Sequence, residues 1–289
     1  MLRRASLLIV LASGCDLVFG LDARDAGPDA EGTGGPEAGA PDAPHAPCVF
    51  TADRFVVPAY WWVPSADLQT AVRYSDNGVE YGSKEGMSAV QLGPQDYVPA
   101  TVGPPPTHIQ LEHPALSADG NQLVVRMERA SGGYDIGIGD RFQKQFSQPQ
   151  VVSVQDEAGV AIPLSIQHHP SAPTATTPRR MLLTSASSLD ELVETTGEWK
   201  RSQQYTPFKL NISSVGTGNL SADGLSLVFE GIPAAGAQSR IYYMKRTSLD
   251  DPFTTPLELY NPVLSGNPYV SNDCSSLFFT GGGDARSAY

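Results

Sequence analysis

The sequence is short of charged residues, cysteines and long apolar runs, and these shortages exclude several classes of protein. Charged residues make up 17% of the 289 positions, three residues are cysteine, and the formal net charge is −12. Nucleic-acid binding is not expected, because phosphate contacts need clustered Lys and Arg to displace counterions. The same lack argues against electrostatic docking on anionic lipid. Helical periodicity is also missing over any long stretch, whereas Gly (28) and Pro (24) are plentiful, which favours a turn-rich, all-β fold.

Motifs that carry catalytic or metal chemistry are missing as well. The chain contains no G-x-S-x-G, H-E-x-x-H, P-loop or C-x-x-C motif. His168 and His169 are adjacent, so on a strand they would point to opposite faces, and the Pro/Thr-rich run after them favours a solvated loop. His108 and His113 have no obvious Cys, Asp or His partner at metal-ligand spacing. We therefore expect a protein that is not an enzyme and that has no cofactor and no metal.

The first residues, MLRRASLLIVLASGCD, have the features of an export signal. Two arginines precede an apolar core that is too short to span a bilayer. Small residues directly before Cys15 resemble the lipobox of bacterial lipoproteins, although Ala12 stands where that family prefers Leu. The resemblance implies that residues 1–14 are a signal peptide and that Cys15 becomes the lipid-anchored N-terminus, in the inner or the outer membrane. An ordinary cleaved signal and a non-exported N-terminus are the alternatives.

Residues 15–47 form the next segment, which from Leu21 onward consists almost entirely of Ala, Pro, Gly, Asp and Glu. Such a composition buries too little apolar surface to offset the entropy lost on ordering, which predicts a disordered linker. A flexible chain of this length spans roughly 30 Å. It would tether a folded head to the membrane, or it would fold on a partner or bind cations weakly.

A repeat organises the remaining residues, 48–289. The pentapeptide LSADG begins at Leu116 and again at Leu220, 104 residues later. Ser and Asp side chains bond nearby amides and Gly accepts a positive φ, so S-x-D-G predicts a tight turn between two strands. We expect these residues to be structural: Ser117, Asp119, Gly120, Ser221, Asp223, Gly224 and, in a degenerate copy, Asp273.

The residues after each LSADG predict three more strands. They are LVVRM, YDIGIG and VVSV after the first copy, and LVFEG, RIYYMK and LEL after the second, with F-x-x-P before the last strand of each. Four short strands in about 50 residues are typical of one β-propeller blade. Degenerate copies at 73–83, from 179 and at 268–282 bring the prediction to about five four-stranded blades.

The LSADGLSLVFEG…RIYYMKRTSLDDPFTTPLEL pattern resembles the TolB-type, WD40-like β-propeller repeat. It is most similar to the version in lipoproteins of myxobacteria, which join a lipobox, an Asp/Pro/Ala linker and a propeller. The resemblance implies a head in the cell envelope that binds an unknown protein or an envelope glycan and lacks enzymatic activity. A glycan-active or hydrolytic propeller and a structural repeat without a specific ligand are the alternatives.

Three further predictions concern the two ends of the domain. Residues 50–58 resemble an outer strand, so we expect them to complete the last blade and close the ring. Cys48 and Cys274 would then share a blade, where an exported protein could form a disulfide; two unpaired thiols are the alternative. The aromatic run Tyr60, Trp61 and Trp62 is either core packing or a binding surface.

Overall fold

The computed structural model describes residues 57–58, 63–65, 70–75, 78–83, 100–142, 145–236, 238–259, 268–270 and 277–279, which all belong to one compact unit. These residues form 21 strands and a single helical turn, α1 (Pro207–Leu210). The prediction of an all-β chain is therefore confirmed for the described residues. Among them, no helix is long and apolar enough to span a bilayer.

The strands of the first half form two antiparallel sheets that follow one another along the chain. Sheet 1 has the order β2 (Val63–Pro64), β3 (Thr70–Ser75), β4 (Gly78–Ser83) and β5 (Ala100–Val102). Sheet 2 has the order β6 (His108–Leu116), β7 (Gln122–Arg129), β8 (Tyr134–Phe142) and β10 (Gln150–Val152), with β9 (Gln145–Phe146) also paired to β8.

Three more sheets follow. Sheet 3 consists of β11 (Val154–Gln155), β15 (Glu198–Tyr205), β14 (Ser188–Thr195), β13 (Arg180–Ser185) and β12 (His169–Pro170), with β11 parallel to β15. Sheet 4 consists of β16 (Ile212–Leu220), β17 (Ser226–Pro233), β18 (Arg240–Lys245) and β19 (Leu257–Leu259). Sheet 5 consists of β1 (Val57–Pro58), β21 (Leu277–Phe279) and β20 (Tyr269–Val270).

Consecutive sheets pack face to face, because the second strand of each repeat is apolar on both sides. In β7, Leu123 and Val125 face a cluster shared with sheet 1, whereas Val124 faces a cluster shared with sheet 3. Leu182 of β13 and Leu227 of β17 lie in the cluster between sheets 3 and 4. A fully buried strand of this kind loses the usual apolar–polar alternation. The result is a row of stacked sheets, the arrangement of propeller blades.

A serine hydroxyl closes the turn into the second strand of four sheets. The backbone N–H of the serine donates to the carbonyl of one residue in that strand. The backbone N–H of that strand residue donates in return to the serine Oγ at 2.8–3.1 Å. Because Ser and its partner bond twice, the two strands leave the turn in register. The four residues are Ser65, Ser117, Ser171 and Ser221.

Two of these serines correct the predicted positions of the degenerate copies. The copy placed at 73–83 is the β3–β4 hairpin, and the matching turn begins earlier, at Ser65 in PSADLQT. The copy placed from residue 179 begins directly before the second strand of its sheet, β13, whereas the serine of the turn is Ser171. There the bonded partners are 11 residues apart instead of 5, so the inserted loop hid the repeat.

The N-terminal strand differs from its predicted place. Of residues 50–58 the structure describes β1, which pairs in parallel with β21, Val57 opposite Phe278. β1 therefore lies next to β21, the second strand of sheet 5. Sheets 2 and 4 have their third strand at this position, so β1 takes the place of a third strand and not of an outer fourth strand. Cys15, Cys48, Cys274, Asp273 and the run Tyr60–Trp62 lie outside the described residues.

Candidate functional site

The first SADG turn uses its polar side chains internally. Ser117 Oγ donates to Asp119 Oδ1 at 2.6 Å, and the same oxygen accepts the amide N–H of Asn121 at 3.0 Å. Burial raises the pKa of Asp119, but the hydrogen bonds from Ser117 and Asn121 outweigh it and leave that pKa below its ordinary value. Gly120 has φ 67°, which an L side chain rarely adopts.

The second SADG turn repeats this arrangement. Ser221 donates to Asp223, whose Oδ1 also accepts the Leu225 amide at 2.9 Å, and Gly224 has φ 69°. In both turns the carboxylate therefore bonds groups within its own turn. This geometry supports turn closure as the role of these residues.

Several ionisable side chains of sheet 2 make contacts between strands. His108, the first residue of β6, is buried, and its Nε2 lies 3.0 Å from Asp135 Oδ2 on β8. Its Nδ1 lies 3.0 Å from the hydroxyl of Thr107. Asp135 also accepts from Arg129 Nε at 2.6 Å. The bond from Arg129 lowers the pKa of Asp135 against the opposing effect of burial, so this carboxyl is ionised at neutral pH.

A second histidine network lies where sheet 2 packs on sheet 3. His113 of β6 and His169 of β12 contact each other edge to face, with ring centroids 3.9 Å apart. Beside them, Arg126 is buried, pairs with Glu112 and donates to the backbone carbonyl of His168 at 3.3 Å. His113 has φ 48° at the irregular middle of β6, which turns its side chain out of the strand's regular alternation.

Both rings of this network are neutral at ordinary pH. Burial, followed by the charge of Arg126, lowers the pKa of His113 to about 4. Burial, followed by the neighbouring His113, lowers the pKa of His169 to about 3. Two protonated rings in contact would repel each other and the guanidinium, so protonation works against the packing of these two sheets.

A buried ion cluster joins sheets 3 and 4. Glu191 of β14 has no exposed side-chain surface and accepts from Arg246 at 2.8 and 3.0 Å and from Arg180 at 2.9 Å. Arg246 also donates to the carbonyl of Gly224 at 2.8 Å and lies over the ring of Phe253. Every one of these contacts stays inside the protein, so the cluster positions the sheets.

Sequence reasoning missed the histidine networks. His168 and His169 were expected in a solvated loop, but His169 is the first residue of β12 and packs on His113. The sequence shows no obvious partner for His108 at metal-ligand spacing, but Asp135, 27 positions later in sequence and two strands away in the sheet, contacts it. No local spacing signals such pairs. Within the described part of the chain, no group of three His, Cys, Asp or Glu side chains is arranged to hold a metal ion.

Comparisons with known proteins give a weak likeness of fold. No protein-family model matches the sequence, and no curated protein matches it. A protein of unknown function from Desulfotomaculum acetoxidans aligns with 77% of this chain and 63% of its own, with 13% identity and a TM-score of 0.46. TolB from Acinetobacter baumannii aligns over 73% of this chain and 46% of its own, with 14% identity and a TM-score of 0.43.

A third structure is the periplasmic gluconolactonase of Pseudomonas aeruginosa. It aligns over 68% of this chain and 52% of its own, with 15% identity and a TM-score of 0.36. The chain spans less than two-thirds of each of these three structures. Similarity at this level assigns no activity, so the function has to be argued from the chain's own residues.

Proposed function

We propose that the chain is an exported lipoprotein whose head is a β-propeller of about five blades that binds a protein partner in the cell envelope. The stacked sheets and the serine turns, spaced 50–54 residues apart, support the propeller. The lipobox-like sequence before Cys15 supports the anchor. The pairing of β1 with β21 supports a ring in which the N-terminal strand joins the last blade.

The observation that carries the binding role is Phe208 on α1. Its side chain is 94% exposed. The turn that presents it is held at both ends: Thr206 caps the N-terminus, and Asn211 adopts the left-handed conformation at the C-terminus. Exposed aromatic side chains held in a fixed geometry lose little entropy on binding and are frequent anchors of protein interfaces.

The surroundings of Phe208 favour a protein partner. α1 leads directly into β16, whose first residue pairs with Pro233 at the end of β17. The turn that follows Pro233 begins with exposed Ala234, Ala235 and Gly236. α1 and residues 233–236 carry a single charged side chain, that of Lys209, and depletion of charge is typical of the core of a protein interface.

Crosslinking in the native envelope tests the binding role. A tagged full-length chain is crosslinked and its partners are identified by mass spectrometry, in parallel with Phe208→Ala. We expect one reproducible partner that is depleted at least tenfold in the variant. Phe142→Ala, at another strongly exposed aromatic residue, is the matched control and should leave capture unchanged. Equal capture by both variants contradicts the role of Phe208, and capture of glycan alone points to the envelope polymer.

The anchor is tested separately by Cys15→Ser. We expect this change to move the protein from the membrane fraction to the soluble fraction, because a lipid chain attached to sulfur is lost with the sulfur. A variant that stays in the membrane pellet without acylation would show that the lipoprotein assignment is wrong.

A further inference from the structure

Thr107, His108 and Asp135 form a hydroxyl–imidazole–carboxylate series on sheet 2. The two links measure 3.0 Å each, from Thr107 Oγ1 to Nδ1 and from Nε2 to Asp135 Oδ2. The side chains of His108 and Asp135 are 3% and 13% exposed, whereas Thr107 is exposed. The imidazole is thus largely shielded from water, and the series ends on an exposed residue.

The proton positions follow from the charge of Asp135. Arg129 bonds this carboxyl through Nε at 2.6 Å and also through Nη2, which keeps it ionised, so it can only accept a hydrogen bond. Nε2 of His108 must therefore carry the ring proton, which leaves the lone pair on Nδ1. Thr107 then has to donate its hydroxyl proton to Nδ1, and this is the tautomer that a general base for a hydroxyl requires.

A second hydroxyl in the same protein lacks this arrangement. Ser165 Oγ lies 2.9 Å from Nδ1 of His168, but that nitrogen also accepts the Ser165 backbone N–H at 3.0 Å. The Nδ1 lone pair of His168 is therefore shared between the Ser165 hydroxyl and the Ser165 backbone N–H. A hydroxyl in that position is not activated, so Ser165 provides an internal control.

We propose that Thr107 is a nucleophile that accepts an acyl group from an ester. This goes beyond partner binding and departs from the expectation that the head has no chemistry of its own. The Thr107 oxygen bonds to the carbonyl carbon while His108 Nδ1 takes the hydroxyl proton. The imidazolium is stabilised by Asp135 and returns that proton to the leaving alkoxide as the carbon–oxygen bond breaks. The products are an alcohol and an acyl ester of Thr107, which water can hydrolyse by the reverse proton route.

The surroundings of Thr107 guide the choice of an ester probe. Its carbonyl accepts the amide of Ala130 at 3.1 Å, so the turn after β7 lies against it. That turn carries Ser131, Gly132 and Gly133, all exposed, and a Cβ added at Gly132 would meet nothing within 4 Å. Thr107 and this turn are both exposed, so an uncharged ester of a small acid is a suitable first probe.

The full-length chain is incubated with p-nitrophenyl acetate, and acetylated peptides are mapped by mass spectrometry. Because a threonine ester is cleaved by hydroxylamine and a lysine amide is not, hydroxylamine separates the two modifications. We expect one hydroxylamine-sensitive acetyl group at Thr107, absent in Thr107→Ala and retained in Thr107→Ser. Ser165→Ala should leave it unchanged.

His108→Gln should lower the initial rate by about 100-fold, the usual contribution of a general base. Asp135→Asn should lower that rate too. Because substitutions of buried residues can unfold the chain, far-UV circular dichroism is recorded for each variant. If the His108 and Asp135 variants misfold, the exposed Thr107→Ala variant alone decides the test. Acetylation confined to lysines, or equal ester formation in wild type and His108→Gln, would overturn the proposal.

Discussion

Sheets 2 and 4 are two copies of one design that differ in their chemistry. β6 and β16 have the same length, begin 104 residues apart, and agree in burial at eight of their nine positions. Each pairs irregularly with the strand that follows it at two places. Their polar residues do not match: His108, Glu112, His113 and Arg126 of sheet 2 correspond to Ile212, Gly216, Thr217 and Glu230 of sheet 4.

The exchange at Arg126 and Glu230 shows how each copy accommodates a charge. In sheet 2 the guanidinium pairs with Glu112. In sheet 4 the corresponding residue is Gly216, and a Cβ there would lie 2.8 Å from Glu230 Oε2, so the missing side chain makes room for the carboxylate. The two copies thus share a backbone arrangement, whereas the side chains of their first strands, β6 and β16, differ.

Removing Glu191 should lower the free energy of unfolding more than any other substitution proposed for this protein. Glu191 joins sheet 4 to sheet 3, just as His113 and His169 join sheet 2 to sheet 3. Glu191→Ala leaves Arg180 and Arg246 buried without their partner, and we expect a loss of about 3–5 kcal/mol in the free energy of unfolding. Denaturant titration measures it. Glu194→Ala, which breaks the more exposed pair with Arg179, should cost about 1 kcal/mol or less. Equal costs would contradict the role of Glu191.

The shared framework can be tested with a matched pair of core substitutions. Leu123 of β7 and Leu227 of β17 occupy corresponding positions, and both are fully buried. Leu→Ala at either position should lower the free energy of unfolding by about 2–5 kcal/mol. If the two copies are equivalent scaffolds, the two losses agree within about 1 kcal/mol in the same titration. A loss at one position alone would show that the copies carry unequal shares of the stability.

Acid should destabilise the sheet 2–sheet 3 packing through His113 and His169. Their folded-state pKa values, about 4 and about 3, lie below the unfolded value of 6.5, so the unfolded chain binds more protons between them. Stability is therefore complete above pH 6.5 and falls as the pH drops toward 4 and 3, by about 3 kcal/mol for His113 alone.

His113→Asn isolates this effect, because Asn tolerates the positive φ of that position. Thermal unfolding between pH 7 and pH 4 should show a shallower pH dependence in the variant than in the wild type. Thr217→Asn, at the corresponding position of sheet 4, should leave the dependence unchanged. A variant with the wild-type pH dependence would mean that other groups cause the acid sensitivity.

The smallest effect is expected at the serine turns. Ser117→Ala and Ser221→Ala each remove a hydroxyl that donates to an aspartate and accepts an amide of the next strand. We expect about 1 kcal/mol or slightly more from each, measured by denaturant titration. A cost at Ser117 that clearly differs from that at Ser221 would show that the turns are not equivalent.

Local sequence determined the strands and turns of the two clear repeats. LVVRM, YDIGIG, LVFEG and RIYYMK all lie within observed strands, because their apolar patterns and the SADG turns act over a few residues. The same reasoning misplaced the turns of sheets 1 and 3. Ser65 and Ser171 make the same hydrogen bonds as the serines of the clear repeats. In sheet 1 the SADG tetrapeptide is altered, and in sheet 3 a longer loop follows the serine, so the local pattern is lost.

The tertiary structure alone decided which distant side chains meet. His108 reaches Asp135 across two strands, His113 reaches His169 across two sheets, and Glu191 takes Arg246 from the next sheet, 55 residues along the chain. Each contact depends on strand register and on how the sheets stack, and both are set by the whole core. Local patterns in the sequence therefore predict the strands and turns of sheets 2 and 4, whereas the candidate chemistry depends on pairs of residues that folding brings together.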